Sequence, residues 1–432
     1  MYKSVLEIFE EIAQIPHKSF HTDEMFEYIC RFAKQYAYKI KTDNAKNIYA
    51  FGSKLPRLCF QSHYDMVGVG EADFPLKLCI ENGFLKAQNS SLGADNGIGV
   101  ASQLYLMQKY QDLEFLFTNN EEVGLLGAKG LELKITSNYL INLDSEVFGE
   151  IVLGCAGGYD MNVSFELPQD NTYYKYCYKI TSKGFKGGHS GVDIHKSIKN
   201  AIVSLVEFIS GIECAICSFM GGEKSNSLPV FAQVIIKTNE VLQSHENFSV
   251  EILEHIGIVY QKNILEDFIF GVKNGVRVIE ENNVLDSLNV SLVKQNTNKI
   301  DISLMGRANT KELLEKNLYE VKNLALKIDS NVKIQIEDFY LPWCRNIEEE
   351  DEFLNAIKKA FQKEPIKIGQ IHAGLECGIL QERFEAMGKN DVRMLSIGPT
   401  ILSPHSVNER LDMVAFEKFC EVLENLAENY KI

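Results

Sequence analysis

The chain is short of several features that would settle its class at once. Its 432 residues include one tryptophan and nine prolines, and glycine numbers only 30. A collagen-like or largely disordered chain is therefore excluded. Positive charge is scarce too: 44 Lys and Arg stand against 59 Asp and Glu, a formal net charge of −15. Such a surface repels phosphate backbones and anionic headgroups, so neither nucleic acid nor a membrane is an expected partner. No stretch nears the roughly 20 apolar residues of a spanning helix. Glu7, Glu10 and Glu11 sit where a signal peptide would be apolar, and a cytoplasmic location is expected. The ten cysteines lie mostly inside apolar runs, as free thiols of a reducing compartment do. Cys214-Ala-Ile-Cys217 has CxxC spacing, but no second pair answers it, and it reads as packing. Gly93, Gly97 and Gly99 do not make a G-x-G-x-x-G turn after a strand, which removes a dinucleotide-binding dehydrogenase.

What remains is an ordinary globular composition, 45% hydrophobic and 24% charged. At roughly 150 residues per domain, the length suits two domains with one enlarged. Val5, Ile8, Phe9, Ile12 and Ile15 form one helical stripe, and a second helix is expected from Thr22 to about Tyr36. Short apolar runs at 57–62, 113–118 and 139–143 are too brief for helices and read as strands, with a helix at 98–110 between the first two. That order predicts an α/β domain with a mainly parallel sheet flanked by helices. From Thr172 the texture changes to half-exposed alternation, with strands expected at 172–181, 230–238 and 287–293 and helices at 197–212 and near 250–256. The expected layout is a split first domain, 1–171 and 341–432, holding an inserted α+β unit, 172–340.

Three of the predicted strands end in acids or histidine: Ser62-His63-Tyr64-Asp65, Asn119-Asn120-Glu121-Glu122 and Asp144-Ser145-Glu146. Open parallel sheets bind ligands at the carboxyl ends of their strands, so these groups should meet at one rim. Asp95 precedes the crossover helix, and His405 follows the late apolar run 394–397. Singly, each has an ordinary explanation: a surface pair, a helix cap, a solvated loop charge. Two histidines and several carboxylates without a thiolate suit zinc, cobalt or manganese.

Longer motifs carry a resemblance. His63-Tyr-Asp-Met66, Leu92-Gly-Ala-Asp-Asn-Gly-Ile-Gly99, Glu121-Glu-Val-Gly124 and Leu143-Asp-Ser-Glu146 resemble the dinuclear zinc peptidase and aminoacylase superfamily. Cys155-Ala-Gly-Gly158, the segment 186–195, His372-Ala-Gly-Leu-Glu-Cys-Gly378 and Ser396-Ile-Gly-Pro-Thr400 narrow it to the aminoacyl-histidine dipeptidases. The resemblance implies two Zn2+ per chain, with Co2+ or Mn2+ as substitutes. Asp95 would bridge them, His63 and Asp144 completing one site, Glu122 and His405 the other. It further implies Glu121 as general base, Asp65 holding His63 in one tautomer, and His189 reaching the carbonyl oxygen. Asn226, Arg307, Gly374 and Glu376 fall at substrate-binding positions, and His195 at a structural one. Asn120 departs from the family, which carries an acid there. The implied activity is cleavage of small dipeptides of the Xaa-His type by a homodimer. The alternatives are an amidohydrolase of N-acyl amino acids and a peptide-binding homologue without turnover, although the base and all five ligands are present.

Overall fold

A computed structural model describes residues 1–254, 257–281 and 283–430. The chain divides into two compact units. The first comprises Met1–Gly154, Trp343–Gln370 and Leu375–Ile432, the second Cys155–Pro342 and Ile371–Gly374.

In the first unit the apolar runs pair as a sheet because both of their faces are covered. Leu58–His63 and Leu113–Thr118 are buried along their whole length, the pattern of a parallel sheet with helices on both sides. Leu58–His63 runs parallel to Leu113–Thr118 and to Tyr139–Asn142, which in turn runs parallel to Arg393–Ser396. Antiparallel strands Lys39–Thr42 and Ile48–Phe51 extend one edge, and Glu150–Cys155 joins antiparallel at the other. The helix Ala94–Lys109 is buried from Ala94 to Met107, so it lies inside the unit instead of on its surface. It packs with Tyr2–Ile12 and Met413–Asn429 around Phe60, Phe115, Phe117 and Leu395. Each such side chain contributes roughly 1.5–3 kcal/mol by leaving water. The four parallel strands thus deliver their carboxyl ends to one rim.

The second unit is an antiparallel sheet with the helices Ala201–Ser210, Asn263–Gly271 and Lys311–Ile328 packed on its apolar face. Ala232–Thr238 alternates buried and half-buried residues strictly, as its sequence predicts. Two expectations are corrected. The unit begins at Cys155 and not at 172, because strand Gly157–Glu166 pairs with Lys299–Ala308 on one side and Lys333–Tyr340 on the other. The helix expected near 250–256 is a strand, Phe248–Leu253, with residues 255–256 outside the described part. Its hydrogen bonds to Tyr176–Ser182 decide the matter, since an edge ladder satisfies the backbone that a seven-residue helix would leave half unpaired.

Gly398 shows how tightly the rim loops fit. A methyl group there would lie 1.6 Å from the Ser145 carbonyl oxygen. Gly398→Ala should therefore lower unfolding free energy by about 2–3 kcal/mol, read as a reduced urea midpoint at unchanged m-value.

Candidate metal centre

His63 closes strand Leu58–His63, Glu121 and Glu122 follow Leu113–Thr118, Asp144 follows Tyr139–Asn142, and His405 follows Arg393–Ser396. Asp95 stands at the start of Ala94–Lys109, where the backbone departs from helical angles. The fold brings these six residues together. The two oxygens of Asp95 divide between the two histidines: Oδ1 lies 3.2 Å from His63 Nε2 and Oδ2 lies 3.0 Å from His405 Nε2. Each imidazole nitrogen has a second carboxylate, Asp144 Oδ1 at 3.3 Å from His63 and Glu122 Oε2 at 2.9 Å from His405. Two three-residue groups that could hold a cation result, His63–Asp95–Asp144 and Asp95–Glu122–His405, and they share Asp95. A further grouping joins His63 to Glu121 and Glu122.

The neighbours set protons and orientation. His63 Nδ1–H donates to the backbone oxygen of Asp65 at 3.0 Å, while the Asp65 carboxylate lies farther off at 3.5 Å. The backbone carbonyl therefore fixes the tautomer expected of the Asp65 carboxylate. That carboxylate instead accepts from the N–H of Glu121 at 2.9 Å, the N–H of Glu122 at 3.4 Å and the Ser19 hydroxyl at 2.8 Å, and so positions the Glu-Glu turn. Asn120, the departure from the family pattern, takes a left-handed φ of 51° and accepts from the Phe20 N–H. Asparagine suits that conformation.

Burial and like charge dominate the electrostatics. Burial, then the charge of Asp95, raises Glu122 to about 7 and Glu146 to about 8. Burial raises Glu121 well above the usual carboxylate range, although the His63 charge opposes it. Asp95 goes the other way: burial would raise it, but hydrogen bonds from His405 and His63 hold it low. His405, which burial would lower, is pushed up to about 12 by its bonds to Asp95 and Glu122.

A divalent cation fits this donor set. Glu122 Oε1 is buried without a hydrogen-bond partner, and the acids face one another with only two imidazoles between them. Hard carboxylate oxygens with neutral imidazoles are what zinc, cobalt or manganese takes.

Glu376, expected to face substrate, is 0% exposed; one carboxylate oxygen accepts from Gln61 Nε2 and Thr118 Oγ1, both at 2.6 Å. It backs the rim from inside. His189, Asn226, Arg307 and Gly374 belong to the second unit. His189 Nδ1 accepts from the N–H groups of Gly191 and Val192 at 3.2 and 3.1 Å, which places its own proton on Nε2. His195 is exposed in a single 3-10 turn, so packing gives no support for the structural role expected of it.

The family model of peptidase family M20/M25/M40 matches residues 59–429. The chain belongs to this family. Over 97% of its length it is 31% identical to the cytosol non-specific dipeptidase of Escherichia coli K12, covering 96% of that protein. Its structure is similar to the aminoacylhistidine dipeptidase of Vibrio alginolyticus, with a TM-score of 0.76, 25% identity, and 98% and 96% of the two chains covered. The aminopeptidase PepT of Bacillus cereus shares the fold at a TM-score of 0.59 and 16% identity, with 99% and 98% covered. None of the helices among the described residues is long and apolar enough to cross a membrane.

One member of this M20 centre escaped the sequence reading. Glu409 Oε2 accepts from the N–H groups of Leu92 at 2.8 Å and Gly93 at 3.1 Å, and Oε1 from those of Ala94 at 2.8 Å and Asp95 at 3.3 Å. It holds the turn that presents Asp95, from 314 residues away in sequence. Its donors are backbone groups, which leave no mark in the sequence beyond Leu-Gly-Ala-Asp itself. Glu409→Ala should cost about 3 kcal/mol or more of stability, with Glu409→Gln costing less because one acceptor oxygen survives. Urea unfolding of both variants measures it.

Proposed function

We propose that the chain is a cytoplasmic dipeptidase dependent on two divalent ions, zinc first, with cobalt or manganese as substitutes. The observation that carries the reading is the division of the two Asp95 oxygens between His63 and His405, each imidazole backed by its own second acid. His63, Asp144 and Asp95 would hold one ion, and Asp95, Glu122 and His405 the other. Bound there, the pair supplies Lewis acidity towards a water and towards the scissile carbonyl oxygen. The similarity to the two dipeptidases supports the substrate class.

Glu121 is the general base of this reading. Its backbone is anchored by Asp65, and burial raises its proton affinity, which suits a carboxylate that takes a proton from water and returns it to the leaving amine. His189 donates through Nε2–H to the oxygen that gains charge as the peptide bond is attacked. Arg307, whose guanidinium bonds the Tyr340 hydroxyl and the Met305 sulfur, grips the terminal carboxylate of the substrate. Asn226, whose carbonyl oxygen accepts from the Ser190 N–H beside His189, lines the same side of the substrate. The edge strand Phe248–Leu253, with Ile252 at 65% exposure, supports assembly as a homodimer.

Metal dependence and substrate choice test the proposal. Chelation should abolish activity and zinc, cobalt or manganese should restore it; Glu121→Gln should keep both ions while kcat falls by about 10²–10⁴-fold, and Asp95→Ala should lose both ions. In a substrate panel, dipeptides including β-alanyl-histidine should be cleaved, and pentapeptides, C-terminal amides and N-acetyl amino acids should not. Preference for N-acetyl amino acids would select the amidohydrolase alternative instead.

A further inference from the structure

One row of side chains crosses four strands of the second unit. Ser287 pairs with Arg307, Arg307 with Gly158, and Gly158 with Tyr340. Residues in one register row point to the same face. Arg307 and Tyr340 are two strands apart, too far for ordinary neighbours, yet Arg307 Nη1 donates to the Tyr340 hydroxyl at 3.0 Å. They meet because the position between them carries no side chain: a Cβ on Gly158 would lie 2.7 Å from the Tyr340 oxygen and 3.0 Å from its ring carbon. A register shift between Glu337 and Tyr340, with Asp338 at a φ of 50°, re-aims the tyrosine towards this row.

The pair is built but unsatisfied. Arg307 is 4% exposed; among the described residues its Nε has no partner, and Nη2 donates to the Met305 sulfur at 3.3 Å. The Arg307 charge reaches the half-buried Asp160, but the structure shows no hydrogen bond between them, so Nε is left for an anion. The Tyr340 hydroxyl accepts from Arg307 and keeps its own hydrogen to give. The segment Ile371–Gly374 covers the same face: His372 Nε2 is 2.7 Å from the Ser287 hydroxyl, His372 Nδ1 is 2.6 Å from Asn309 Oδ1, and a Cβ on Gly374 would lie 3.1 Å from the Tyr340 oxygen. Burial and then the Arg307 charge lower His372 to about 3, so it brings no competing positive charge.

We propose that Tyr340 is a second ligand of the substrate's terminal carboxylate, donating its hydroxyl hydrogen to one oxygen while aiming the Arg307 guanidinium at the other, with Gly158 as the spacer that permits the pair. This rests on the dipeptidase reading and on Arg307 as its clamp. It also gives a task to Cys155-Ala-Gly-Gly158 and to Gly374, which the metal chemistry leaves without one.

The test uses the full-length metal-loaded protein and a non-cleavable dipeptide isostere in two forms, C-terminal carboxylate and C-terminal carboxamide, with binding measured by calorimetry. Tyr340→Phe should weaken the carboxylate form about tenfold and leave the carboxamide form within about twofold, with kcat on a good dipeptide nearly unchanged and KM raised. Gly158→Ala, which keeps the phenol but wedges a methyl group under it, should lose the same preference. Equal weakening of both forms, or no weakening, by Tyr340→Phe would overturn the role of Tyr340 while Arg307→Ala still removed the acid preference. If Arg307→Ala left that preference intact, the clamp itself would be wrong.

Discussion

Buried like charge is the constraint around which the first unit is organised. Asp95, Glu121, Glu122, Asp144 and Glu146 converge on two imidazoles at a rim that water reaches chiefly beside His405, which is 41% exposed. Without compensation such a group is repulsive, and proton affinities record it: Asp95 keeps its charge between the two histidines, and its neighbours Glu122 and Glu146 are driven up. Cations held at Asp95 would relieve the repulsion in a way that protons on the carboxylates do only by giving up the ligands. Much of the surrounding fold exists to keep the acids converged. Four parallel strand ends deliver them, Glu409 holds the turn of Asp95, and Asp65 holds the turn of Glu121 and Glu122.

Legibility in the sequence followed the range of the interaction. The strands at 58–63, 113–118 and 139–142 were readable because both faces are buried and their apolar runs are continuous. The convergence of the five residues expected as ligands was readable because four follow the ends of parallel strands and Asp95 opens the crossover helix. What escaped was set by distant partners. Glu409 is an unremarkable acid until its four backbone donors are seen, and Tyr340 acquires meaning only through the register that places Gly158 between it and Arg307. The strand Phe248–Leu253 was mistaken for a helix because Val250 and Ile252 are too few to fix a period without the neighbouring Tyr176–Ser182. The unit boundary was placed late for the same reason, since nothing in Gly157–Glu166 announces its partners.

The two units solve opposite electrostatic problems. The first gathers acids around two imidazoles; the second holds the Arg307 guanidinium against the Tyr340 hydroxyl and the Met305 sulfur, with Asp160 within reach of its charge. The M20 motifs distribute between the units: His63 to Glu146 lie in the first, Cys155 to Gly158 and His372 to Gly374 in the second.

The metal centre proposed for the first unit stands or falls with the sharing of Asp95 by two ions. Anomalous diffraction from crystals of the zinc- or cobalt-loaded protein tests it most directly. Two peaks are expected roughly 3.5–4 Å apart, one beside His63 and Asp144, the other beside Glu122 and His405, with Asp95 between them. A single fully occupied peak in active protein, or a pair that leaves Asp95 on one side, would contradict it.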